Sequence, residues 1–65
     1  MPVNPLDVMR MALDREHEAV RDYTQYAKTA TEKSIREMFL FLAEEEKKHV
    51  KLLTDEIDKE VNREM

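Results

Sequence analysis

Ala27-Lys28-Thr29-Ala30-Thr31-Glu32-Lys33-Ser34-Ile35-Arg36-Glu37-Met38-Phe39 is the stretch on which the fold turns. Upstream of it, Leu6, Met9, Leu13, Glu16, Val20, Tyr23, Ala27 and Ala30 recur at alternating steps of three and four, the spacing of a helix packed along one stripe. Carried on without a break, that register would place Ser34, Glu37, Phe41, Glu44 and Lys48 on the stripe, which is no longer an apolar face. A new phase begins instead at Ile35 and runs through Phe39, Leu42, Glu46, His49 and Leu53, with Ile57 and Val61 extending its apolar side. The change of phase coincides with Thr29, Thr31 and Ser34, and Ser34 with Glu37 fits an S-x-x-E capping box. The cap itself falls anywhere from Thr31 to Ser34. Two helices follow, over residues 5–30 and 34–63, in one domain spanning 1–65. One uninterrupted helix in a long coiled coil is the competing reading, since no Gly or Pro enforces a turn. The phase change counts against it.

The first helix has a start signal. The Asn4 side chain can accept a free N–H of the first turn, and Pro5 is tolerated at the first helical position. A bend of two to five residues near Thr31 makes the pair an antiparallel hairpin. In such a hairpin, residues at one level have numbers that add to a constant, here about 62 for a bend at Thr31. Met9 then pairs with Leu53, Leu13 with His49, Val20 with Leu42, Tyr23 with Phe39 and Ala27 with Ile35. Glu16 falls level with Glu46. Two stripes read independently thus meet with Glu16, Glu46 and His49 gathered in one layer.

Composition narrows what such a hairpin does. The 65 residues include 15 acidic and 11 basic side chains, a net charge of -4, and no Gly or Cys. A chain this short buries only about 60% of its unfolded surface, so it depends on a metal, a disulfide or a partner chain. Without Cys there is no disulfide, thiolate nucleophile or Cys-ligated metal. No apolar run approaches the roughly 20 residues that cross a bilayer; the longest, from Met38 to Ala43, has six. The opening Met1-Pro2-Val3-Asn4-Pro5 has no basic segment leading into an apolar one, so a cytoplasmic setting is expected. The acidic balance and absent glycine argue against nucleic acid and phosphate-cradling loops.

Ionised carboxylates in an apolar seam cost several kcal/mol unless they are paired or bound to a metal. Glu16 facing Glu46 would make matters worse. His49 lies one turn after Glu46 on the same face, so this Glu-x-x-His can approach a single ion. One hairpin supplies three ligands and leaves an uncovered stripe. A second copy remedies both: a two-fold pair of hairpins is a four-helix bundle holding two Glu16, two Glu46 and two His49, the donor set of di-iron and di-manganese bundles. Carboxylate with imidazole and no thiolate selects iron first, with manganese or zinc as alternatives. Two ions per dimer are expected.

Glu16-His17-Glu18-Ala19-Val20-Arg21-Asp22-Tyr23, followed by Met38-Phe39 and Leu42-Ala43-Glu44-Glu45-Glu46-Lys47-Lys48-His49, resembles the repeat unit of the ferritin-like di-iron carboxylate superfamily. It is most similar to the rubrerythrin-like group and to half-length encapsulated ferritins, and the likeness covers about residues 13–53. The resemblance implies an all-α hairpin that dimerises into a ferritin-like four-helix bundle, with Glu16, Glu46 and His49 as metal ligands and catalytic centre. It implies a ferroxidase-type site at the subunit interface that oxidises Fe(II) with O2 or peroxide. A rubrerythrin-like peroxide reductase is the alternative; with no Cys, its electron donor would be an external redox partner. Encapsulated ferritins imply a higher homo-oligomer and an encapsulating shell. A metal-free dimerisation module whose polar layer only sets register is a third reading, and a fragment completed in cis by missing residues a fourth.

Other side chains carry less. Tyr23, one heptad from Glu16, reads first as a core aromatic and second as a support behind the ligands. His17 and Glu18 point off the stripe toward solvent, Glu18 alternatively lining a path for incoming ions. Glu44 and Glu45 form a solvated face with Lys47 and Lys48, and either is placed to support the second nitrogen of His49. Met9, Met11 and Met38 read as core or flank fillers.

Overall fold

The computed structural model describes residues 4–64, which form two helices: α1, Pro5–Thr29, and α2, Lys33–Glu64. The opening residues 1–3, read above for a targeting signal, lie outside the described residues. The first helix begins as its sequence dictates. Asn4 Oδ1 accepts the Leu6 N–H at 2.9 Å, the Asn4 carbonyl accepts from Val8 at 3.1 Å, and Pro5 occupies the first turn, where its missing N–H is harmless. The helix stops at Thr29 rather than at residue 30. Ala30 turns extended (φ -71°, ψ 128°) while its N–H still donates to the Tyr26 carbonyl at 3.0 Å. No described residue has positive φ, so the chain reverses without the left-handed conformation that would demand glycine.

The start of α2 corrects one expectation. Glu32 offers its carbonyl to the Arg36 N–H at 3.0 Å and so closes the first turn. Ser34 therefore sits inside the helix, at its second residue, and not at the cap that an S-x-x-E box requires. The cap, Glu32, falls within the Thr31 to Ser34 window, two residues earlier than the box.

Between the helices the seam is narrow. Ala27 and Ala43 are each 3% exposed and Leu6 8%, small or terminal residues where the two backbones approach. Toward the bend, the Phe39 ring stacks on Tyr23 (centroids 6.3 Å apart) and tilts against Tyr26 at 5.5 Å. Such pairs prefer these offset and tilted geometries. Away from the seam, ion pairs such as Lys47–Glu44 and Lys51–Asp55, both at 3.0 Å, link successive turns on exposed faces.

The molecule is one layer thick. Its extents are 49 × 23 × 12 Å, and the shortest is about the diameter of a single helix. A radius of gyration of 15.1 Å exceeds the roughly 11 Å of a compact chain this long. Accessible surface is 5318 Å², against about 4,400 Å² for a compact protein of this mass. Ile35, expected against Ala27, is 46% exposed. Met11 and Met38 lie on the surface, at 55% and 57%. Domains bury their apolar stripes between two layers, and here one layer stands alone.

Candidate metal centre

Glu16 lies at the middle of α1, and Glu46 and His49 at the middle of α2. Helical periodicity puts Glu46 and His49 on one face a turn apart, and the hairpin brings Glu16 across to them. His49 Nδ1 is 3.3 Å from Glu16 Oε2 and 3.4 Å from Glu46 Oε2. One ligand atom from each of the three residues lies within 4.8 Å of the others, the cluster of potential metal ligands among the described residues.

His49, one turn beyond Glu46, meets Glu16 across the seam. The physical reason is the lean of helical side chains toward the N-terminus of their own helix. In an antiparallel pair the two leans run in opposite directions, so side chains reach partners beyond their own level as well as those at it. Glu16 with His49 and Tyr26 with Phe39 both add to 65. Tyr23 with Phe39 adds to 62, and their rings stand farther apart.

Burial also differs from a sealed seam. The side chains of Glu16 and Glu46 are 25% and 20% exposed, and His49 is 51% exposed. The cluster sits at the rim of the seam and opens onto one broad face of the layer. Two carboxylates with one imidazole nitrogen between them offer hard oxygen donors and a borderline nitrogen, and a proton on that nitrogen could serve only one carboxylate at a time. This donor chemistry fits iron, manganese or zinc and does not fit thiophilic ions. Three donors on one side leave the opposite side of an ion unfilled.

The remaining sequence candidates fall outside the cluster. Tyr23 stacks on Phe39, a heptad toward the bend. His17 and Glu18 are exposed. Glu44 and Glu45 hold Lys47 and Lys48 at 3.0 Å each, so within one chain lysines occupy both carboxylates. One feature was missed from sequence. Phe41 and Leu52, 58% and 67% exposed, lie with Met38 along a second side of α2. A signal was present in their spacing, but Glu45 and Lys48 between them read as a solvated face.

Among the described residues, no helix is long and apolar enough to cross a membrane. No curated protein and no solved structure matches the chain. The family model described as rubrerythrin matches residues 7–65.

Proposed function

Since the chain belongs to the rubrerythrin family, we propose that it is an iron-binding half bundle, two copies of which meet on the face carrying Glu16, Glu46 and His49 and share a dinuclear iron centre that reacts with O2 or peroxide. The observation that carries this reading is the convergence of three ligand atoms within 4.8 Å at mid-length of both helices. Two copies supply four carboxylates and two imidazoles, the set used by di-iron bundles.

Iron, when bound, supplies the electron transfer to O2 or peroxide. The chain's own residues hold it. Glu16 and Glu46 offset the cation charge with oxygen donors, and the repulsion between them becomes attraction to a common centre. As His49 is oriented here, Nδ1 faces the carboxylates and must be free of its proton to act as a ligand, which leaves the proton on Nε2. The half-open rim gives small oxidants access, while the seam keeps Glu16 and Glu46 mostly out of water. Ferroxidase and peroxide-reductase readings share this centre and part at the fate of oxidised iron: release to a store in one, re-reduction by an external donor in the other.

The test is metal content and assembly mass measured on one sample. About one iron per chain in a dimer or larger assembly is expected, given the donor count. A monomer that takes up no divalent metal overturns the proposal. A metal-free dimer would leave the interaction-module reading in its place. Following Fe(II) oxidation with O2, and then with peroxide plus a reductant, separates the two redox readings.

A further inference from the structure

Among the described residues, seven of the 11 Lys and Arg side chains hold a carboxylate within 4.0 Å, in pairs running from Arg10 with Asp7 to Arg63 with Glu60. The four that do not are Arg15, Arg21, Lys28 and Arg36. Three of those four surround one cleft. It lies across the seam near the bend, has a volume of about 210 Å³, and is lined by Thr24, Ala27, Lys28, Arg36 and Leu40. Arg21 stands a heptad before Lys28 on the same side of α1, about 10.5 Å away. No carboxylate lines the cleft, in a chain whose net charge is -4.

The cleft opens on the reverse of the hairpin from the metal ligands. At about 100° of turn per residue, Arg21 and Lys28 lie about 140° and about 120° around α1 from Glu16, and Leu40 lies about 180° around α2 from His49. Two hairpins that meet over the ligands leave this face open. Its floor is apolar: Ala27 is 3% exposed at the base, Leu40 stands at the wall 47% exposed, and the Thr24 hydroxyl donates to the Val20 carbonyl at 2.7 Å. Helix formation does not account for all three cations. Lys28 suits the last turn of α1, where a positive charge complements the helix dipole, but Arg36 sits near the start of α2, where a cation opposes it and the first turn has no acidic residue.

Size and charge select the occupant. Clefts that take a whole small molecule run from about 300 Å³ upward, so this one fits a single apolar side chain. The cations to either side are spaced for separate anionic groups about a heptad apart. We infer that this face docks an acidic partner protein, through a helix that seats one apolar side chain in the cleft and sets carboxylates a turn to either side of it, one against Arg21 and the other against Lys28 and Arg36. A nucleic acid would bring one charge per about 1.7 Å of its axis to a chain that is itself acidic, far more than three cations offset. The inference is independent of iron binding, since the variants that test it leave Glu16, Glu46 and His49 in place.

The probe is a synthetic helical peptide with Leu at its centre, Glu four residues before it and three after, and no basic residue. Titrated at low salt into the isotope-labelled full chain in its native assembly, it is expected to shift the amide signals of Thr24, Lys28, Arg36 and Leu40 and not those around His49. Arg21→Glu, Lys28→Glu and Arg36→Glu should each weaken binding about tenfold, as should Ser in place of the peptide's Leu, with bound metal unchanged. Where a reversal unfolds the helix, Arg21→Gln with Lys28→Gln removes the charges alone and should weaken binding in the same direction. Signals that stay unmoved at about 1 mM peptide, the limit of weak affinity, overturn the site. Binding that survives the charge changes or the loss of the peptide's Leu is unspecific attraction and overturns it equally. A single-stranded oligonucleotide or an anionic lipid vesicle that shifts the same signals at lower concentration than the peptide overturns the protein partner. A change of assembly mass in Leu40→Asp makes this face an interface between copies instead, and the inference fails.

Discussion

The bend-side layer and the middle layer of this hairpin are made by the same two helices and are closed in opposite ways. Near the bend, Tyr23 and Tyr26 rest on Phe39, and Ala27 is sealed at 3% exposure. That layer is apolar and packed at Ala27 within one chain, with Tyr26 and Ile35 left 49% and 46% exposed at its edges. A few turns away, Glu16, Glu46 and His49 fill the equivalent place with groups that repel or compete for a proton. Complete closure there requires something from outside the chain. The contrast shows why function is proposed for the middle layer: the aromatic layer holds the helices in register, and that rigidity lets the middle layer keep a polar arrangement that does not stabilise the fold on its own.

The comparison breaks most decisively at the ligands. Glu46→Ala or His49→Ala is expected to reduce bound iron from about one per chain to nearly none and to loosen the dimer, since each removes two of the six donors in the shared centre. Metal analysis with sedimentation measures both. If either variant retains full metal, the middle layer is not the site.

Removing iron from the proposed centre comes next. At a free metal concentration about 100 times its dissociation constant, binding adds about 2.7 kcal/mol to stability. A chelator should therefore lower the melting temperature, and restoring Fe(II) should raise it again. The bend-side layer offers the converse. Phe39→Ala should destabilise by about 2 kcal/mol, below the range for a fully buried ring because Phe39 keeps some exposure. That loss should be the same with and without iron in denaturant titrations, since the ring touches Tyr23 and Tyr26 and not the ligands.

Smaller changes sharpen the picture at the edges. Asn4→Ala should cost about 1 kcal/mol by leaving the Leu6 N–H without its cap, and melting curves would show it. Lys51→Ala breaks an exposed pair with Asp55 and should stay within about 0.5 kcal/mol. A larger effect there would show that this outer face is covered in the assembly.

Much of this was legible in the sequence because helices advertise themselves by period and cap. Asn4-Pro5 marked the start of α1, and the phase change near Thr31 marked the bend. Ser34 with Glu37 misled, because a capping box requires a backbone conformation that side-chain identity alone does not impose; the Glu32 carbonyl closed the turn first. Glu16, Glu46 and His49 were legible as one layer, but the approach of His49 Nδ1 to both carboxylates, at 3.3 and 3.4 Å, was not. Counting residues compares Cα heights and ignores the opposed lean of side chains. The stripe through Phe41 and Leu52 was hidden for a different reason. Glu45 and Lys48 pair with each other at 3.0 Å within α2, so the stripe looked like an ordinary charged surface.

The sequence by itself determined two helices, the cap of the first, their bend, and which side chains share a face, because each of these is fixed by interactions spanning a few residues. The tertiary structure alone decided how closely the Glu16 carboxylate approaches Glu46 and His49, how far the three stand from water, and which apolar side chains the seam leaves uncovered. Those depend on the relative height and separation of two helices. Height and separation are set by the path of the bend and the small residues along the seam, and no local repeat encodes them.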